Sequence, residues 1–459
     1  MRETRATLPP GSGLPAAVQA MIWVFRPIHF LENSFRRYGA VFTLRIPTYP
    51  PLVFLSDPAA IRKIFAGDPA VLHAGDANRV LGPVMGANSL LLLDGRRHRR
   101  ERKLLMPAFH GERMRAYGEL MRATTERYMN EWSVGRPIAV HAEMQKITLD
   151  LILRAVIGID VEGRHEALRK RLLRLLSFVS NPALLFAVTP SGTPMAPRLQ
   201  RALGRLSPMN RFAGMKREVD DMLFEEFASR RAAGETGRED VLSMLIEARD
   251  ENGVGLTDAE LRDEMLTLLV AGHETTATAV SWTLWRILRH PAVEQRLRAE
   301  LHEVTDGGPI EPGRVGELKY LDATIKETMR LNPTLPLVAR LLQAPLQVGE
   351  FELPKGVYVA PNIWLTHRNP DVWPEPERFR PERFLDRPVK PYHFFPFGGG
   401  TRTCLGMAFA TYEMKIVLAE ILRRTEMRLK PGYRARVVRR SITFAPSRGM
   451  PLVVVKRGR

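Results

Sequence analysis

The stretch Phe397-Gly398-Gly399-Gly400-Thr401-Arg402-Thr403-Cys404-Leu405-Gly406 holds the only cysteine in a chain of 459 residues and leads into an apolar run of helical period over 405–424. A lone cysteine is most often a small buried hydrophobe, and its commonest special role is that of a nucleophile. Here three consecutive glycines supply a tight turn whose amides are free to point at the sulfur. The following helix N-terminus favours a thiolate, and a cation, Arg402, lies two residues away. A sulfur held deprotonated in this way serves as a nucleophile or as the axial ligand of a haem iron.

Composition sets the bounds within which either role must fit. Lys+Arg 68 against Asp+Glu 50 leaves a net charge of +18, with 45% of residues hydrophobic and 26% charged. That is a globular composition with core enough to enclose a cofactor, and it excludes fibrous and wholly disordered chains. One cysteine rules out an intramolecular disulfide and a multi-cysteine zinc or iron–sulfur centre, and it favours a reducing compartment, the cytoplasm. The early apolar stretch 14–25 is broken by Gln19 and stopped by Arg26, short of the roughly 20 residues that span a bilayer. Neither a transmembrane anchor nor a signal peptide is expected. The basic excess invites nucleic acid or an anionic membrane. Its arginines, however, are spread over 96–102, 164–174, 230–231 and 434–440 without a zinc-finger or RNA-recognition signature, and an acidic protein partner fits equally well.

Along the chain, Pro9, Pro10, Gly11, Gly13 and Pro15 make residues 1–30 read as a Pro/Gly-rich, meandering lead-in. Residues 41–46 and 52–55 read as a β-hairpin around Pro47, Pro50 and Pro51. Helical spacing appears next at 96–110, 114–132, 144–157 and 167–180, after an Asp94-Gly95 turn. The proline-broken stretch 181–212 reads as a mobile lid. Thr257 and Glu260 form a capping box that opens the clearest helix. It runs toward Pro291, about 33 residues and roughly 50 Å. Helices at 292–304 and 318–331, a β region at 346–360, loops over 369–400 and short strands at 442–445 and 452–455 complete one mainly α domain with small β-sheets over 1–459.

The cysteine segment resembles the haem-binding loop of the cytochrome P450 family, Phe-x-x-Gly-x-Arg-x-Cys-x-Gly, at every fixed position. Three further family motifs occur in the family's order along the chain. Ala271-Gly272-His273-Glu274-Thr275-Thr276 in the long helix resembles the oxygen-activation motif. Glu327-Thr328-Met329-Arg330 resembles the Glu-x-x-Arg of the structural core, and Pro381-Glu382-Arg383-Phe384 resembles its downstream partner. The resemblance implies a triangular helical domain with haem b, iron protoporphyrin IX, buried between the long central helix and the cysteine loop. Cys404 would be the metal ligand, flanked by Phe397, Gly398 and Gly406.

By the same resemblance, Ala271 and Gly272 would let the central helix pass close to a flat macrocycle, and Glu274 and Thr275 would relay protons beside it. Read alone, Gly272 is a helix-interior glycine that costs about 1 kcal/mol against alanine. Arg402, Arg102, His98 and Arg340 match the cations that meet the haem propionates; His98 and Arg102, four apart, share a helix face. Glu327, Arg330 and Arg383 would form a buried charged network of structural purpose, although an exposed i,i+3 pair is worth only about 0.2–0.5 kcal/mol. The substrate pocket would be lined by 80–92, 268–271, 335–338 and the turn around Phe444, mostly aliphatic positions.

These readings converge on a monomeric haem-thiolate monooxygenase that inserts one atom of O2 into an apolar substrate such as a terpene, steroid, fatty acid or macrolide-like molecule. The family-like domain uses the whole chain and leaves no flavin or iron–sulfur module, so a separate acidic ferredoxin or flavodoxin with its reductase is the expected electron donor. The alternatives are a peroxide-driven or rearranging member of the same family, a cysteine-nucleophile enzyme, and a basic nucleic-acid-binding protein.

Overall fold

The structure is a computed structural model describing residues 8–109, 111, 113–158, 166–179, 208–234, 238, 240–386 and 388–458. Its spine is the 31-residue helix Asp258–Leu288, which at ~1.5 Å per residue is about 46 Å long. The Thr257 hydroxyl accepts the Glu260 amide at 3.3 Å and the Glu260 carboxylate accepts the Thr257 amide at 2.9 Å, the expected capping box. The helix stops short of Pro291 because that proline occupies the first turn of the next one, Pro291–Thr305. Buried residues from Leu261 to Ile287 lie on most of its faces, so it needs cover on several sides. Helices Val140–Ile157, Lys319–Leu331 and Met407–Arg424 supply that cover and share one large apolar core with it.

Small sheets flank this bundle. Strands Val41–Leu44 and Leu52–Leu55 form the expected antiparallel hairpin, with Val41 opposite Leu55. The second strand pairs in parallel with Tyr358–Pro361, which runs antiparallel to Arg340–Leu342; Leu72–His73 completes five strands. This sheet places Arg340 in the interior. A three-stranded sheet joins Pro137–Ala139, Pro451–Arg457 and Thr425–Leu429, and Val437–Arg440 pairs with Thr443–Pro446.

Two expectations change, and a third lies mostly outside the described residues. The lead-in is largely helical: Ala16–Phe25 and Pro27–Tyr38 are helices, with Pro15 at one N-cap and Pro27 at the next first turn, positions where proline starts a helix. The lid read over 181–212 lies outside the described residues through 207, and its last positions open the helix Pro208–Ala233. Phe444 is in a strand, not a turn, and is 1% exposed among Trp23, Phe54 and Trp364, so it belongs to the core and not to a pocket wall.

Candidate active site

The cysteine loop folds in a way that side chains would forbid. A Cβ at Gly400, whose φ is +67°, would lie 2.3 Å from the Phe65 carbonyl oxygen, and one at Gly399 would lie 2.4 Å from the Phe65 ring. The Cys404 amide donates to the Phe397 carbonyl at 2.9 Å and closes the loop. The helix then starts at Met407 with Gly406 as its N-cap. Cys404 is exposed, yet burial pushes its thiol above the ordinary range, while the Gly406 amide and Arg102 pull it down. A sulfur that is accessible and still desolvated lines a cavity within the molecule. Burial thus works against the pull of the loop and helix on this sulfur, and a bound metal cation would favour the anion. Arg402 is not the cation that acts on the sulfur. Its guanidinium donates to the Leu93 carbonyl at 2.5 Å and to Asp94.

Around this loop gather the basic residues that the resemblance named. His98 is buried on helix Gly95–Leu105 and is pushed down to about 3 by desolvation, then by Arg402, Arg102 and Arg340, so it is neutral at pH 7. Arg340 is pushed down to about 10 by burial and by Arg402, while Asp94 acts the other way. It donates to the Ala339 carbonyl at 2.8 Å and the Gly399 carbonyl at 3.4 Å. Among the described residues no hydrogen bond or ion pair reaches the Arg102 side chain. Asp94, which the sequence showed only as a turn, is the acid that pairs with Arg402 in this cluster. Its carboxylate accepts the Ala74, Gly75 and Asp76 amides at 3.0, 3.0 and 2.9 Å. Arg102, Arg340 and Arg402 outnumber Asp94, and Arg99 also acts on His98, so the cluster is net positive.

On the central helix, Ala271 is exposed and Leu268, Gly272 and Thr275 are half-buried, although Thr267, Leu269, His273 and Thr276 between and beside them are buried. Their spacing puts them on one face, which therefore opens onto internal space. Thr275 Oγ1 donates to the Ala271 carbonyl at 2.6 Å. Gly272 has a reason other than a macrocycle: a Cβ there would lie 2.8 Å from Ile152 Cδ1, so its missing side chain serves the crossing with helix Val140–Ile157. Glu274 does not face Thr275. Its carboxylate accepts Gln145 Nε2 and lies 3.6 Å from His141 Nε2 and 3.8 Å from Arg440 Nε, with Oε1 lacking a hydrogen bond. Burial raises its pKa, against Arg440 and Gln145, which lower it.

The family model for cytochrome P450 matches residues 9–450. The chain belongs to the cytochrome P450 family. It is 39% identical over 450 residues to a protein named cytochrome P450 135B1 from Mycobacterium tuberculosis, covering 96% of this chain and 90% of that one. It is 38% identical to cytochrome P450 135A1 of the same species, covering 98% and 96%. A solved cyanobacterial structure, CYP120A1 with retinoic acid bound, aligns with a TM-score of 0.83 and 25% identity over 98% of this chain and 99% of that one. The haem domain of cytochrome P450DA aligns with a TM-score of 0.85 at 24% identity, covering 99% and 98%. This cytochrome P450 is therefore a monooxygenase whose cofactor is haem, bound through a cysteine thiolate.

Two features of the structure fit that cofactor: the accessible, desolvated sulfur of the only cysteine, and a surplus of positive charge where haem b brings carboxylates. On Lys319–Leu331, the cytochrome P450 also assembles the Glu-x-x-Arg network. Arg330 Nε and Nη2 donate to the two Glu327 oxygens at 2.7 and 2.9 Å with both side chains 0% exposed. Arg383 Nε joins at 3.3 Å, and Arg330 Nη1 donates to the His367 and Pro376 carbonyls at 2.7 Å each. With its donors and acceptors met, such a buried pair is tolerable; broken, it is strongly destabilising. Sequence reasoning missed His141, Gln145 and Arg440, which hold Glu274, and Glu413, a buried acid bonded to Thr276. They lie on other elements, and no local spacing links them to the motif.

Proposed function

We propose that this cytochrome P450 oxygenates a C–H or C=C bond of a small apolar molecule of terpene, steroid, fatty-acid or macrolide-like chemistry. The single observation that carries the substrate class is the aliphatic character of the accessible interior: Leu268 and Ala271 on the central helix, with half-buried Val80, Val84, Leu335 and Val338 in the neighbouring segments. The retinoic acid held by the cyanobacterial relative supports an apolar, isoprenoid-like guest. Bound haem supplies the one-electron chemistry by which O2 is cleaved.

The chain's own residues do the rest. Cys404 would hold the haem as its thiolate, and Arg102, Arg340, Arg402 and neutral His98 would meet its carboxylates. Gly398, Phe397 and Gly406 shape the loop around the sulfur. Glu274, whose raised pKa keeps its proton to higher pH than an ordinary glutamate, turns from Gln145 and delivers that proton to Thr275 Oγ1. Thr275 passes it on after releasing the Ala271 carbonyl. Half-exposed Arg440, 3.8 Å from Glu274, marks the side from which the acid recharges.

Electrons come from an acidic ferredoxin or flavodoxin. A groove of about 830 Å³ runs beneath Gly398, Gly399 and Gly400, with Arg62, Lys326 and Lys415 among its walls. Asp322 holds Lys326 at 2.6 Å and Lys415 at 2.8 Å, so three cations less one anion leave a positive surplus that supports an acidic partner. The test is to titrate terpenes, steroids and fatty acids into the ferric protein, monitor the shift of its main band, and analyse products with a ferredoxin chain. Apolar ligands shift the band, and turnover falls as salt rises. A response confined to polar or strongly anionic molecules, or a steep rise of turnover with ionic strength, rejects this assignment.

A further inference from the structure

Helix Ala16–Phe25 contains no charged residue, and only one of its faces is covered. Gln19, Ala20, Trp23 and Val24 are buried against the first sheet and its neighbours. The opposite face carries Val18, Met21 and Phe25, preceded by Leu14, at 41%, 54%, 57% and 48% exposure. The steps of four, three and four residues make this a continuous stripe along one side. A helix that is apolar all round belongs in a core or at a lipid interface. Four of the twelve exposed large hydrophobics among the described residues fall within these twelve positions, so this is a patch and not surface scatter.

The charge beside the stripe is predominantly basic, with Glu32 on the next helix engaged by Trp364. Residues 4–31 contain no aspartate or glutamate, and residues 427–459 contain ten lysines and arginines and no acid. The two segments meet in the fold. Arg439 stacks over the Trp23 ring at 4.3 Å and donates to the Trp23 carbonyl at 3.3 Å. Val437 packs against the same aromatic cluster, directly after exposed Arg436. Arg26 is exposed at the helix end, and the Arg45 amide donates to Gln19 on its flank at 3.2 Å.

We propose that this face is a peripheral membrane-binding surface for anionic lipid. Val18, Met21 and Phe25 enter the acyl boundary, while the exposed Arg26 and Arg436 meet the headgroups. No helix among the described residues is long and apolar enough to cross a membrane, so the chain lies on the bilayer. The inference does not rest on the substrate reading, because lipid binding needs no turnover.

The test is sedimentation of the haem-loaded protein with vesicles of phosphatidylcholine alone and of phosphatidylcholine and phosphatidylglycerol in equal parts. The protein pellets with the anionic vesicles only, and added salt releases it. Met21→Ser combined with Phe25→Ser lowers the bound fraction about tenfold and leaves the haem spectrum unchanged. Arg26→Ser combined with Arg436→Ser weakens anionic binding by several-fold and keeps the test open if the first variant fails to fold. Absence of vesicle binding by the parent, or binding unchanged in either folded variant, overturns the proposal. A dimer in sedimentation velocity that the Met21 and Phe25 changes dissociate, without vesicle binding, assigns the face to a second copy and equally overturns it.

Discussion

Thr275 donates its hydroxyl to the Ala271 carbonyl at 2.6 Å, a hydrogen bond that replaces nothing the helix needs, since the helix is already closed by its backbone. The hydroxyl is therefore free to change partners, which a proton carrier must do. Thr275→Ala keeps haem and its spectrum, while product per electron pair falls about tenfold and hydrogen peroxide rises to match, measured by oxidase and product assays together. Unchanged coupling removes Thr275 from the proton path. The glycine turn and helix start around Cys404, and the place of Thr275 within the long helix, were legible in the sequence because local signals carry them. The direction of the thiol's shift was not, because the glycine amides and helix terminus were visible locally and the desolvation that outweighs them was not. Asp94 was hidden likewise: it looked like the start of a turn, and its bond to Arg402 is a tertiary contact.

At the scale of elements, the crossing of the central helix with Val140–Ile157 decides what each position tolerates. The Gly272 Cβ position lies 2.8 Å from Ile152 Cδ1 and 3.1 Å from its Cγ1. Gly272→Val therefore destabilises the haem-loaded protein by about 1–3 kcal/mol in denaturant unfolding, and Ile152→Ala in the same chain recovers a part of that loss. Additive losses in the pair would show that the two positions do not touch. The long helix itself was readable because its capping box and the following proline are local signals. The turning of Glu274 toward His141, Gln145 and Arg440 was not, because it depends on how a distant helix and a C-terminal strand pack behind the motif.

Across the molecule, burial of neutral histidines sets the response to acid. Burial, aided by Arg440, pushes His273 down to about 4, and its Nε2 has no hydrogen-bond partner. Because the folded value lies below the ordinary 6.5, the unfolded chain binds the proton first, and stability from this group is full above 6.5 and lost as pH falls toward 4. Between pH 7.5 and pH 5 the parent should lose roughly 2 kcal/mol more than His273→Gln in urea unfolding. An equal loss in both would mean that His273 takes up its proton in the folded state.

The central claim is that one sulfur anchors the haem of this cytochrome P450. The absorption spectrum of the reduced, carbon-monoxide-bound protein, recorded for the parent and for Cys404→Ala at equal haem content, tests it most directly. The parent gives the long-wavelength band of thiolate-ligated haem and the variant loses it; the same band in the variant would contradict the claim.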